Sequence, residues 1–512
     1  MRKLLLIPIL LLLAFPVRPA GAAWWTDNLT LSIPFSDPDN PLTLTVGTGS
    51  LSFTRATTAT YVHPTTGLVT SAASGQLRIE SNGALIEGAR TNIITYSRTL
   101  NNAAWTLTNA TADNTITGED GVASSASWLA ASGSNGTACQ SVTIGSAAYS
   151  GAFSLKRITG TGTVKISLDN GATYGSDLAG SLSANAWYRA SKSNQTLANP
   201  EICLQLGTSG DNVAVDYAQI EAGAFISSRI PTTTVAVTRN RDDLTFPASA
   251  NFSKDLGTLS ATVTYGVNTS NGQIFDSSAP SADQEDGNWI YHNGSSTLYY
   301  NGRRAGVPSF SITITTALSQ QDKLAATWST DRAQLARDGE LAIQDTSVTV
   351  GSATPTSITL GNTAGNSNYA PFYGYIKDSR VWNRAFLDNE LQSIAGDMDA
   401  DAFTFTDVTG ATFSTVYTSN SVNVAGITAI TDISITGGTY SINGGAYTSA
   451  AGVVALNDNV AVRATSSGSF STATNAVLTI GGVSDTYTVT TRYGIPGRFP
   501  EQPTMPTFPT WH

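Results

Sequence analysis

Three histidines and two cysteines are the only imidazole and thiol groups in this 512-residue chain. His63 sits in the turn-like phrase VHPTTG, His292 in the strand-like WIYHNG, and His512 is the last residue. None is accompanied by a nucleophile motif such as G-x-S-x-G, so a Ser-His-Asp relay has no visible starting point. The same shortage works against a Cys/His zinc centre. Cys139 and Cys203 lack a neighbouring histidine or basic cluster to hold a reactive thiolate. Glycoside hydrolysis would need two carboxylates flanking the sugar, about 5–5.5 Å apart for retention and wider for inversion. The densest acid cluster, Asp283, Glu285 and Asp286 in SSAPSADQEDGN, has the Ser, Pro and Gly content of a loop. It reads first as a solvated turn, then as a calcium loop, and last as a catalytic pair. No P-loop or dinucleotide fingerprint is present. The chain is therefore expected not to be an enzyme.

What remains is recognition. Acids outnumber bases 37 to 27, for a formal net charge of −10. A nucleic-acid binder needs a basic surface to neutralise phosphates, so nucleic acid is excluded as a partner. Sugar binding needs flat aromatic faces for the pyranose C–H groups and amide or carboxylate partners for the hydroxyls. The chain has 9 Trp and 18 Tyr, most of which should be core. Trp328 and Trp382 lie mid-strand, and Trp105 and Trp187 are expected to pack inside. The better ligand-binding candidates are Asn366, Asn368, Tyr369 and Tyr373 in GNSNYAPFY, and Trp289 and Tyr291 beside the acidic loop.

The elements that must position these residues are strands. ATVTYGV, FSITI, TVKISL, SVNV and TYTVTT alternate β-branched or aromatic with polar residues, each between Gly, Asn, Asp or Ser signals. That period of two predicts antiparallel β-sandwiches. One short helix is expected where Leu387, Leu391 and Ile394 recur at helical spacing, with Asp388 and Glu390 near its start. The length allows three or four domains of roughly 100–200 residues. With 41% hydrophobic residues the chain is not expected to be disordered.

Arg2 and Lys3, the apolar run Leu4–Phe15 and the small-residue site Ala20-Gly21-Ala22 make residues 1–22 a secretory signal peptide, too short to span a bilayer. An exported chain with no transmembrane anchor follows. In an oxidising compartment Cys139 and Cys203 form either a disulfide or a pair of buried thiols. Arg229–Asp243 (RIPTTTVAVTRNRDD) and the acidic Gly396–Ala402 separate β-rich blocks. The expected domains are 23–94, an N-terminal β segment, then sandwiches over 95–243, 244–398 and 399–491, and a Pro-rich tail over 492–512.

Two stretches carry a resemblance. FTRATTATYV with GALIEGARTNIITYS, and YAQIEAGAFISSRIPTTTVAVTR, resemble a module of bacteriophage tail and virion-associated proteins and related bacterial surface proteins. Between them, residues 95–228 resemble the jelly roll of carbohydrate-binding modules. KLAATWSTDRAQLARDGELA and LGNTAGNSNYAPFYGYIKDSRVWNRAFLDNEL resemble a concanavalin A-like, laminin-G-type sandwich. TYSINGGAYTSAAGVV and VLTIGGVSDTYTVTT resemble a bacterial Ig-like module. The implied fold class is all-β, a series of antiparallel sandwiches. Jelly rolls of this kind often hold a structural calcium, which would fall to Asp120, in the GEDG turn, and Asp216, in VDYAQ. This chain lacks the acidic phrase that often completes that site. Glucanases of the concanavalin type carry E-x-D-x-x-E on one strand, which is also missing here. The resemblances imply an exported, non-catalytic surface protein that binds glycans or cell-surface polymers. The alternatives are a self-associating structural subunit of a phage particle or cell-surface appendage, and a polysaccharide-degrading glycosidase.

Overall fold

The computed structural model describes residues 28–39, 42, 44–266, 272–277, 287–293, 297–304, 307–315, 321–349, 355–362, 370–396, 400–427 and 431–494. Residues 1–22, read as a signal peptide, the acidic cluster Asp283, Glu285 and Asp286, Asn366, Asn368, Tyr369 and residues 495–512 lie outside them. The regular structure of the described residues is almost entirely antiparallel strand, as the alternating pattern demands, arranged as a series of sandwiches. No described helix is long and apolar enough to cross a membrane.

Asn28–Ala395 form one compact unit. Its larger sandwich pairs two sheets. The first runs Glu340–Leu341, Arg332–Arg337, Gln321–Ser329, Gly257–Tyr265, Gly374–Trp382, Gly83–Ile86 and Arg78–Glu80, with Leu29–Ile33 also on Gly374–Trp382. The second runs Ser52–Thr54, Asp243–Pro247, Ser357–Leu360, Gly272–Asp276, Gly287–His292, Thr297–Arg304 and Val307–Thr315. One apolar cluster fills the space between them. Trp328 is fully buried there, stacked on Phe252 at 4.9 Å, with its Nε1 donating to the Ser253 carbonyl. Burying such side chains contributes roughly 1.5–3 kcal/mol each.

The segment 23–94, expected to stand before the sandwiches as its own piece, is part of this one. Leu31, Ile33, Phe53, Ile79 and Ile86 belong to the same core, and four of the segment's strands pair in its two sheets. An isolated run of short strands cannot bury its apolar faces and must complete another sheet. The Asp338-Gly339 turn joins Arg332–Arg337 to Glu340–Leu341 with both residues at positive φ, 50° and 84°, as a two-residue hairpin of matching twist requires. The helix is Asp388–Ala395, with Leu391 and Ile394 buried. Leu387 precedes it and is exposed, its N–H donating to Glu390 across the helix start.

The smaller sandwich of this unit has a five-stranded sheet, Tyr188–Leu197, Ala147–Thr159, Asn212–Ala222, Ala126–Ala131 and Ala110–Ile116. Its four-stranded sheet is Val164–Ser167, Glu201–Leu206, Gly136–Ser141 and Thr106–Thr108. Its own core holds Trp105, Phe153, Leu155 and Val215, whereas Trp187 is only half-buried beneath Lys156. Cys139 lies directly opposite Cys203 on adjacent strands, and the two form a disulfide.

Residues from Gly396 onward belong to a second compact unit. Ala473–Ile480 and Val483–Thr491 form its central hairpin, and Asn459–Thr465 the middle of its other sheet. Alternate residues such as Val460, Val462, Leu478, Ile480, Tyr487 and Val489 build a closed core.

Candidate functional site

In the five-stranded sheet of the smaller sandwich, one face supplies the core and the other is polar and buried. Tyr149, Phe153, Val215, Ala218 and Ile220 point inward. Ser150, Ser154, Asp216, Gln219 and Glu221 point the other way, and all five are fully buried. A bulge at Tyr217, with φ at 43°, keeps Asp216 and Gln219 on the same face.

What covers that face is Ser227, Ser228 and the polar stretch Arg229–Asp243, expected to separate two β-rich blocks, together with residues from the 55–92 region. Ser227 donates its N–H and Oγ to Glu221 at 2.9 and 2.5 Å. Arg229 pairs with Glu119 through Nε at 2.7 Å and through Nη2. Deeper, Glu87 accepts from Arg78 at 2.7 Å, from Arg239 and from the Ser228 N–H at 2.8 Å. Asp242 accepts from Arg55 at 3.0 Å, Arg78 at 2.5 Å and the Glu87 N–H at 2.9 Å. Asn92 ties this layer to the sheet, donating to the Ala218 and Ile230 carbonyls at 3.0 and 2.8 Å. Buried charges of this kind persist only when each is paired and hydrogen-bonded. The phrases IEGARTN and QIEAGAFISSR thus encode a charged seam that locks the two sandwiches together.

Asp120 and Asp216 lie at the edge of this seam, with a guanidinium between them. Arg98 donates to Asp216 at 2.6 and 2.9 Å and to Asp120 at 2.7 Å, and lies 4.3 Å over the Tyr217 ring. The place assigned to calcium is therefore held by a side-chain cation, which supplies the charge the carboxylates need. Partial burial works to raise the Asp120 pKa, but the bonds from Arg98, Ser125 and the Val122 N–H outweigh it and hold it below the usual value. Among the described residues one group of metal-ligand types converges, Cys139, Glu201 and Cys203, and its two sulfurs are joined as the disulfide.

The seam opens at Arg189. There a cavity of about 240 Å³ is lined by Arg189, Glu80, Phe225, Ser228, Tyr373 and Tyr375, among others. Tyr375 donates to Glu80 at 2.8 Å, and burial, then the Glu80 charge, pushes its pKa up, so it remains a donor. Tyr373 is nearly buried, edge-on to Phe225 at 4.8 Å and with Arg90 5.0 Å over its ring. It therefore forms a cavity wall, where a solvent-facing loop aromatic was expected.

Trp289 and Tyr291 come from one strand and share the outer face of the second sheet of the larger sandwich. Trp289 is 3% exposed, its Nε1 without a partner among the described residues. A ring so enclosed offers no platform for a sugar, which corrects its place among the binding candidates. Tyr291 is half-buried and stacks on Tyr299, with ring centres 4.7 Å apart and planes 5° from parallel. Beside the pair, Ser311 donates to Asn301 at 2.8 Å, and Ser311 and Thr313 are exposed. Tyr299 was missed in the sequence although TLYYNG carried the signal: alternation sends Tyr300 into the core and Tyr299 out. His292 is enclosed by Tyr265 and Phe372, with ring centres at 5.1 and 5.9 Å. Another cluster invisible in the sequence is Arg337 on Asp322 at 2.9 Å, with Asp338 at 3.7 Å at the hairpin end.

Among solved structures, the CBM40 of Ruminococcus gnavus IT-sialidase bound to alpha2,6 sialyllactose is 15% identical, with a TM-score of 0.26, covering 30% of this chain and 92% of that one. The leech intramolecular trans-sialidase complexed with 2,7-anhydro-Neu5Ac is 16% identical at a TM-score of 0.26, covering 35% of this chain and 31% of that one. A heptameric SAP-like pentraxin from Limulus polyphemus is 16% identical at 0.23, covering 28% and 70%. A comparison with curated proteins gives no match. Residues 238–392 match the family model of the Concanavalin A-like lectin/glucanases superfamily.

Proposed function

We propose that this is an exported, non-catalytic surface protein that binds glycans through its larger sandwich. The observation that carries the reading is the stacked Tyr291–Tyr299 pair beside Asn301, Ser311 and Thr313, on the outer face of a sheet within the lectin-matching segment. Flat rings complement sugar C–H faces, and the amide and hydroxyls complement sugar hydroxyls. The smaller sandwich braces the larger one, the seam occupying its polar sheet face except at the cleft beside Arg189.

The test is retention of the chain on a panel of polysaccharides and cell-wall polymers, with bound and released sugar measured together. Binding without release is expected, and Tyr299→Ala should weaken it about tenfold, the effect of one aromatic anchor worth about 1.4 kcal/mol. Released reducing sugar would overturn the non-catalytic half of the reading. No binding, combined with growth of particles in light scattering, would replace it with a structural subunit of a virion or surface appendage.

A further inference from the structure

Arg189 stands apart from the other arginines of the seam. Arg55, Arg78, Arg98, Arg229 and Arg239 each meet a carboxylate. Arg189 donates only to neutral acceptors: the Tyr217 carbonyl at 2.6 Å, Gln219 Oε1 at 2.9 Å and Ser154 Oγ at 3.4 Å. The neighbouring carboxylates are engaged elsewhere, Glu119 by Arg229, Glu221 by Ser227 and Gln219, and Asp216 by Arg98. Burial and then the Arg229 charge lower the Arg189 pKa to about 9, so at neutral pH it remains a cation facing a cavity.

The same cavity holds the converse case. Glu80 accepts from the Val62 N–H and from Tyr375, both at 2.8 Å, and meets no cation among the described residues. Each of its oxygens keeps a lone pair for a further donor. Phe225, Tyr373 and Tyr375 supply apolar walls. The volume lies below the roughly 300–1,000 Å³ of drug-sized pockets, which limits an occupant to about one sugar ring.

We propose that this cleft is a second carbohydrate subsite, selective for a sugar that bears a carboxylate: Arg189 takes the carboxylate and Glu80 accepts from a hydroxyl. The proposal extends the glycan reading to a separate site and fails separately from it.

The experiment is calorimetric titration of the full chain with glucuronic and galacturonic acid and with their neutral parents, glucose and galactose. The acids should bind at least tenfold more tightly than the parents, and the preference should weaken in high salt. Arg189→Gln should abolish the preference, Glu80→Gln should weaken acid binding, and Tyr299→Ala should change neither. Absence of an acid preference in the native chain, or its survival in Arg189→Gln, overturns the proposal. Should Arg189→Gln fail to fold, Glu80→Gln decides: acid binding left unchanged by it overturns the proposal equally. Loss of polymer retention in Tyr299→Ala with acid binding intact would show that the two sites stand independently.

Discussion

The behaviour of Arg98 shows how a side chain can take the part of an ion. Its guanidinium satisfies Asp216 twice and Asp120 once, while Asp216 is fully buried. Removing one partner of a buried pair leaves an uncompensated charge, at a cost of about 3–5 kcal/mol. Arg98→Met is therefore expected to lower stability by about that amount, with calcium restoring part of it, whereas EDTA should leave the native melting temperature unchanged. Thermal melts with and without each reagent check this, and a drop of the native chain in EDTA would contradict it. In the sequence, Asp120 and Asp216 were named as calcium ligands through the resemblance to jelly rolls that hold that ion. The cation was not legible, since Arg98 reaches both only after the GEDG turn and the Asn212–Ala222 strand are brought side by side.

At the level of strands and helices, the period-two pattern is a local property of the backbone and could be read directly. Pairing partners are another matter. Leu29–Ile33 reads as an ordinary half-buried strand, yet it pairs with Gly374–Trp382, more than three hundred residues away. Leu31 is fully buried in the shared core. Leu31→Ala should destabilise this unit by about 2–5 kcal/mol, the range for a buried leucine whose cavity does not collapse. Urea unfolding followed by tryptophan fluorescence measures it, and a change under about 0.5 kcal/mol would show that the first strand is dispensable. The helix was legible from its apolar spacing and its acidic start, but Leu387, counted in the apolar row, precedes it and faces solvent while Glu390 caps the turn.

Across the full chain, the interlocked core and the charged seam bear on which pieces can fold. Residues 244–398, a domain by sequence, lack Leu29–Ile33, Ser52–Thr54, Arg78–Glu80 and Gly83–Ile86, and with them three strands of the first sheet and one of the second. Expressed alone, this piece is expected to aggregate or remain partly unfolded, with unpaired sheet edges exposed. Residues 28–395 should give one cooperative transition, because separating the sandwiches would break the bonds from Asn92 to Ala218, from Arg90 to Ala222 and from the Ser228 N–H to Glu87. Residues 396–494 carry their own closed core and should fold alone. Circular dichroism melts of the three pieces test these outcomes; a stable 244–398 fragment would refute the interlock.

The class of fold, the strands and the isolation of Cys139 and Cys203 from activating groups were carried by local pattern: alternation, turn residues and composition, each set within a few positions of the chain; the lectin-like character of residues 244–398 was carried by their resemblance to concanavalin A-like sandwiches. The counter-ion of Asp120 and Asp216, the burial of Trp289, the Tyr291–Tyr299 stack and the cleft between Arg189 and Glu80 were not. Each depends on residues distant in sequence meeting at one place, and on which face of a paired strand is left open. Those are consequences of register and packing, which exist only once the sheets have closed.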